Sequence, residues 1–145
     1  MRQKTAIVTG GSRGLGRDMA LNLAKDGVDI IFSYHSNQAK AQEVIAEIEG
    51  MGRKAAAFTM DANDPKNAQA FMQQAMEYQL AETGSSNFDF LINNAGTGAY
   101  NLVADTTEEQ FDEMMHVHLK SVSFLTQAAL AHLNEGGRIV NISSG

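Results

Sequence analysis

A glycine-rich turn near the amino terminus is the strongest constraint on how this chain of 145 residues can fold. The turn, TGGSRGLG at residues 9–16, follows a short apolar run and leads into a segment of helical periodicity. In a strand–turn–helix unit, the first N–H groups of the helix and the positive end of its dipole point towards the turn. Glycine permits the tight turn and the close approach of a phosphate. The turn therefore predicts a site for a phosphate-bearing ligand.

Strand-like and helix-like segments alternate along the rest of the chain. Apolar runs predict strands at 6–9, 28–33, 54–60, 88–93 and 138–143, and amphipathic spacing predicts helices at 15–26, 38–51, 65–83 and 106–134. Asp64 followed by Pro65, and Thr106 with Glu109, are typical helix starts. Gly136 with the glycine after it is expected to break the last helix. Continuous apolar strands joined by helices are typical of a parallel sheet covered on both faces.

This order of elements predicts a doubly wound α/β fold of the Rossmann type. We expect a mostly parallel sheet with five strands in the order 3-2-1-4-5. A ligand should bind at the carboxyl ends of the strands, near the switch between strands one and four. Residues 1–145 are expected to form one nucleotide-binding domain.

The composition argues against several classes of function. The net charge is −6, and no basic cluster is present, which argues against a nucleic-acid partner. Without cysteine, and with no His spacing typical of metal ligands, we expect no metal site. No apolar run approaches the roughly 18 residues of a membrane span, so we expect no membrane association. The first residues lack the apolar core of a signal peptide, and we expect a cytoplasmic protein.

Three further motifs follow predicted strands: Asp61-Ala62, NNAG at 93–96 and NISSG at 141–145. Together with the glycine turn, and in the same order, they resemble the short-chain dehydrogenase/reductase family over the whole chain. The closest resemblance is to its NADPH-dependent 3-oxoacyl-acyl-carrier-protein reductases. This implies hydride transfer between a nicotinamide cofactor and a ketone or secondary alcohol, with a 3-oxoacyl thioester as a candidate substrate. It also implies a homo-oligomer, either a dimer or a tetramer.

The resemblance also implies a set of cofactor contacts. Asp61, with Ala62 beside it, is expected to accept a hydrogen bond from the adenine amino group. Asn93 either belongs with the segment that follows it or is a structural residue tying strands together. Residues expected along the pyrophosphate are Gly10, Gly14, Leu15 and Gly16, and those along the adenosine ribose are Asn94, Ala95 and Gly96.

The segment after strand two favours NADP(H) over NAD(H). An NAD site usually carries Asp or Glu there to bind the ribose 2′-hydroxyl, but SYHSNQ at 33–38 contains no acid. A carboxylate would repel a 2′-phosphate, whereas hydroxyls, a histidine and a nearby arginine suit it. We therefore predict NADP(H) as cofactor, with the segment and the glycine turn contributing Ser12, Arg13, Tyr34, His35 and Ser36.

The catalytic residues are assigned by resemblance alone. Ser144 matches the family serine that hydrogen-bonds the substrate carbonyl oxygen. Its usual partners, a downstream Tyr-x-x-x-Lys pair, are not found in the sequence. His118 replaces an asparagine that supports a proton relay; its imidazole either carries protons or packs in its helix. We expect the front portion of a longer reductase, inactive on its own. The alternative is a catalytically inactive NADP-binding module, either a sensor or a degenerate subunit.

Overall fold

A five-stranded parallel sheet forms the centre of the computed structural model, which describes residues 2–143. The strand order is β3-β2-β1-β4-β5, as predicted. Because β1 pairs with both β2 and β4, the direction of winding reverses between β1 and β4. The strands are β1 (Thr5–Val8), β2 (Asp29–Tyr34), β3 (Ala55–Thr59), β4 (Phe88–Asn93) and β5 (Leu133–Asn141).

Helices connect these strands and cover both faces of the sheet. Within residues 2–143 they are α1 (Gly14–Lys25), α2 (Gln38–Gly50), α3 (Pro65–Thr83), α4 (Glu108–Met115) and α5 (Ser121–Leu130). A 3-10 turn, Val103–Asp105, precedes α4, and a π-turn, His116–Lys120, joins α4 to α5. None of the described helices is both long enough and apolar enough to cross a bilayer.

The sheet buries a separate apolar cluster on each face. Val8 and Phe32 pack with residues of α1 and α2, whereas Ile7 lies in the opposite cluster with Phe71 of α3 and Leu125 of α5. Neighbouring strand residues point to opposite faces, so a strand buried on both sides is apolar throughout. The continuous apolar runs of the sequence are explained by this double coverage.

The predicted single helix at 106–134 is wrong. The π-turn interrupts it, α5 ends at Leu130, and β5 spans Leu133–Asn141 instead of 138–143. Gly136 was expected to break the helix but lies inside β5. The pairing of β5 with β4 shifts register between Phe88 and Phe90, and the glycine occupies this irregular part of the strand.

One predicted helix start is confirmed and the other is displaced by one residue. Asp64 caps α3 by accepting the Lys66 N–H, with proline at the first helical position. The capping box of α4 uses Thr107 and Gln110 in place of the predicted pair. The Thr106 hydroxyl instead donates to the Leu102 carbonyl at 3.0 Å, closing the 3-10 turn. Glutamine and glutamate serve equally at the third helical position of a capping box. The 3-10 turn before α4 therefore determines that the helix begins one residue later than predicted.

Candidate functional site

A cavity of about 660 Å³ opens where the strands end at their carboxyl termini. Its walls are the loops that follow β1, β2, β3 and β4, together with one side of α4. The structure brings every predicted cofactor-binding residue to these walls: Gly10, Ser12, Arg13, Gly14, Leu15, Gly16, Tyr34, His35, Ser36, Asp61, Ala62, Asn94, Ala95 and Gly96. The cavity therefore lies at the predicted switch between β1 and β4.

Hydrogen bonds from neighbouring strands hold the glycine turn. The Gly10 N–H donates to the Ser33 hydroxyl at 3.0 Å, and the Gly11 N–H donates to the Ser33 carbonyl at 2.9 Å. On the other side, the Asn94 side-chain amide donates to the Thr9 carbonyl at 3.1 Å. Gly14 has φ +56°, a left-handed conformation that favours glycine. Hydrogen bonds within the protein thus hold the turn from both sides.

Close packing explains the glycine at position 16. A Cβ atom there would lie 2.1 Å from the Gly10 carbonyl oxygen and 2.5 Å from the Asn94 side-chain nitrogen. No other residue fits without moving α1 away from the turn. The glycine therefore also permits close packing of the helix against the turn, in addition to the tight turn and the approach of a pyrophosphate that the sequence had suggested.

The start of α1 is open to an anion. Arg13 occupies the N-cap position, makes no side-chain capping bond in the described structure, and precedes a first turn without acids. The first N–H groups of a helix have no partner within the helix. Since Gly14, Leu15 and Gly16 line the cavity, these groups can bind a phosphate there.

The edge beside β2 combines cations with neutral polar groups. Arg13 and His35 line this edge, as does Lys40, which was not predicted from the sequence. Asn37 caps α2 and accepts the Lys40 N–H at 3.1 Å, which places this lysine in the first turn of the helix. The clue in the sequence was a lysine in the first turn of the helix that follows strand two. Residues 33–37 contribute no carboxylate to the cavity.

The loop after β4 is tied to the end of β1 by Thr9, whose role was not predicted from the sequence. The Thr9 hydroxyl accepts the backbone N–H groups of Asn94 and Ala95, each at 2.9 Å. Across the cavity, Asp61 is exposed and accepts the Asn63 N–H at 2.9 Å, closing a short turn after β3. Hydroxyl residues at strand ends, such as Thr9, were the clue to this loop anchoring.

The remaining candidates lie around the cavity in different ways. Asn93 is buried and donates to Thr126 and Asn141, so it ties β4 to α5 and β5. His118 hydrogen-bonds the Thr97 carbonyl through Nε2 at 2.6 Å, and it is not among the lining residues of the described chain. Ser144 lies outside the described residues. Between residues 2 and 143, no three His, Asp or Glu side chains converge to hold a metal ion.

Comparison with known protein families gives a match that agrees with the fold and with the motifs at the strand ends. The family model described as short chain dehydrogenase matches residues 4–145. The chain belongs to this family. Among curated short-chain dehydrogenases, the chain is 40% identical over 141 residues to the short-chain dehydrogenase/reductase FrzI of a Cladobotryum species. The alignment covers 97% of this chain and 52% of FrzI.

Solved members of the family share the fold closely. The landomycin C-6 ketoreductase LanV, crystallised with NADP and rabelomycin, is 37% identical with a TM-score of 0.94. A short chain dehydrogenase from Burkholderia cenocepacia in complex with NADP is 39% identical with a TM-score of 0.84. The alignments cover 98% and 95% of this chain but 58% and 54% of those proteins. The chain thus spans about half the length of the relatives it matches.

Proposed function

We propose that the protein is an NADP(H)-dependent oxidoreductase that interconverts a ketone and a secondary alcohol. The observation that carries this proposal is the pairing of two features in one cavity. The uncapped start of α1 is suited to a pyrophosphate. The adjacent edge, with Arg13, His35 and Lys40 and without a carboxylate, is suited to a 2′-phosphate.

The size and chemistry of the cavity fit this cofactor. Ligand pockets are commonly about 300–1,000 Å³, and this one is about 660 Å³. Leu15, whose surface is 59% exposed, offers an apolar contact beside the glycine turn. The presence of NADP in related structures, including LanV and the Burkholderia enzyme, supports the same choice.

The residues of this chain would bind and orient, while bound nicotinamide would supply or accept hydride. Gly10, Gly14 and Gly16 would let the backbone approach the pyrophosphate. Asp61 is proposed to accept from the adenine amino group, and residues 94–96 to follow the ribose. Ser144 is proposed to donate a hydrogen bond to the carbonyl oxygen, stabilising the charge that develops there. The suggested proton relay through His118 stays a prediction.

The substrate is proposed to be a small molecule with a carbonyl group. The resemblance to 3-oxoacyl-acyl-carrier-protein reductases makes a 3-oxoacyl thioester the first compound to test. The ketoreductase LanV, crystallised with rabelomycin, makes rabelomycin the second. A homo-oligomeric state, a cytoplasmic location and a single domain formed by residues 1–145 stay predictions.

The decisive experiment titrates the complete protein with NADPH and NADH by calorimetry and then follows NADPH oxidation with each ketone. We expect tighter binding of NADPH than of NADH, and turnover with at least one carbonyl compound. Tighter binding of NADH would overturn the cofactor assignment. NADPH binding without turnover on a broad ketone panel would instead support the alternative, a nucleotide-binding module without catalysis.

A further inference from the structure

Two side chains at the π-turn hydrogen-bond the loops on either side of the cavity. His118 donates from Nε2 to the Thr97 carbonyl at 2.6 Å, and Ser121 donates its hydroxyl to the Ala62 carbonyl at 2.5 Å. Thr97 lies in the loop after β4 and Ala62 in the loop after β3, and both line the cavity. A carbonyl oxygen only accepts, so the His118 ring must carry its proton on Nε2.

We propose that His118 and Ser121 are positioning residues that hold these two loops at the separation the nucleotide requires. The nature of the ligand rests on the proposed function, whereas the loop anchoring does not. Neither side chain needs to touch the cofactor for this role. Each acts through the backbone of a cavity-lining residue.

The helix that carries these two residues is firmly placed. Val117 is 4% exposed and Leu125 is 2% exposed, so the helix is buried on either side of the two donors. A π-turn contains one more residue per turn than an α-helix and changes the directions of the side chains around it. His118 lies inside this turn and Ser121 directly after it. Two side chains three positions apart on one helix thus reach two different loops.

The loop after β4 depends on this anchor. Residues 96–101 are exposed, and no backbone–backbone hydrogen bond of the described structure involves them. The His118 ring also fits closely over Gly96, where an added Cβ would lie 2.7 Å from the ring Cε1 atom. The absence of a side chain at position 96 therefore permits the bond to Thr97.

The experiment compares His118→Ala, Ser121→Ala and the double variant in the complete protein. Ser123→Ala is the matched control, because Ser123 on the same helix donates to the Leu119 carbonyl, within the helix and not to a loop. His118→Gln and Ser121→Thr are rescue variants that keep a donor. Amide hydrogen exchange without nucleotide reports the loops directly, and calorimetry gives the NADPH affinity.

We expect each alanine variant to raise amide exchange about tenfold at the hydrogen-bonded N–H groups of its own loop. For His118 these are the N–H groups of residues 94 and 95, which donate to Thr9. For Ser121 they are the N–H groups of residues 63 and 64, which donate to Asp61. The Kd for NADPH should rise about fivefold in each, the equivalent of one lost hydrogen bond. The rescue variants should return to within about twofold of wild type, and Ser123→Ala should match it.

Unchanged exchange in His118→Ala would overturn the proposal, as would equal effects of Ser121→Ala and Ser123→Ala. His118 is exposed, so its variant tests the idea even where the buried Ser121→Ala fails to fold. Faster local exchange in a protein whose wild type binds no NADPH would support the anchoring and refute the proposed function.

Discussion

The two edges of the sheet use their polar groups in opposite ways. At the amino-terminal edge, Asp89 is 4% exposed and accepts hydrogen bonds from the Arg2 side chain, the Thr5 N–H and the Asn134 side chain. At the carboxyl edge, Arg13 and Lys40 line the cavity and form no salt bridge in the part of the chain that the structure describes. One edge is closed by internal partners and the other is left open.

The two edges therefore serve different purposes: the polar groups of the amino-terminal edge stabilise the fold, and those of the carboxyl edge are available to a ligand. A buried carboxylate with a full set of partners holds distant segments together, and removing it leaves buried donors unpaired. Burial acts to raise the pKa of Asp89, but hydrogen bonds from Arg2 and Thr5 outweigh it, so the pKa lies below its ordinary value of 3.8. Open polar groups on a rigid frame are instead ready for a ligand, because they need no rearrangement to bind it.

The largest effect should come from Gly16→Ala, which damages the open edge. Its Cβ would meet the Gly10 carbonyl oxygen, so α1 must move away from the turn. We expect the Kd for NADPH to rise about 100-fold, or about 2.7 kcal/mol, as measured by calorimetry. Gly50→Ala is the control, because the added Cβ has no neighbour within 4 Å. An unchanged NADPH affinity in Gly16→Ala would show that this contact does not shape the site.

Asp89→Ala should damage the closed edge and leave the open one intact. The Thr5 N–H and the Asn134 amide lose their acceptor, so the free energy of unfolding should fall by about 2 kcal/mol in urea titrations. The affinity for NADPH should stay within about twofold of wild type. Glu47→Ala removes an exposed carboxylate paired with Arg17 and should change the free energy of unfolding by less than about 0.5 kcal/mol.

The pH dependence of unfolding tests the same residue. Because the folded-state pKa of Asp89 is lowered, its contribution is complete above the ordinary pKa and is lost as the pH falls through the folded-state pKa. We expect the difference in the free energy of unfolding between wild type and Asp89→Asn to become smaller as the pH falls from about 5 through the folded-state pKa. A difference that stays constant across this range would show that the charge of Asp89 is not what stabilises the edge.

Arg13→Ala should have a smaller effect than Gly16→Ala, and it tests whether the open edge binds the 2′-phosphate. Loss of a charged hydrogen-bond donor to a phosphate should raise the Kd for NADPH about tenfold while leaving that for NADH unchanged. Arg17→Ala is a matched control on α1, since Arg17 pairs with Glu47 and does not line the cavity. Equal losses for both cofactors would place Arg13 near the pyrophosphate and away from the 2′-phosphate.

Much of the fold was predictable because it depends on patterns within short segments. The apolar runs, the Asp64 cap and the glycine turn each act over a few residues, so their sequence and structure correspond directly. The prediction failed between residues 106 and 138. There the sequence is compatible with a straight helix, and contacts with the rest of the protein select the π-turn and an earlier β5.

The candidate site divides in the same way. Residues that follow strands were found because parallel strands bring their carboxyl ends to one edge. Ser33 and Thr9 were missed as anchors of the glycine turn and of the loop after β4. The position of Lys40 at the start of the helix after strand two was a clue, but a lysine there is ordinary in a sequence, so its place in the cavity wall was not predicted.

By itself, the sequence determined the order of elements, the parallel sheet and the loops that form the cavity, because hydrophobic periodicity and turn chemistry are local. The tertiary structure decided which polar groups find partners. The Thr5 bond to Asp89 joins residues 84 positions apart, and the Ser121 bond to Ala62 joins residues 59 apart. Such pairs form only when packing brings distant segments together, since no local pattern specifies them.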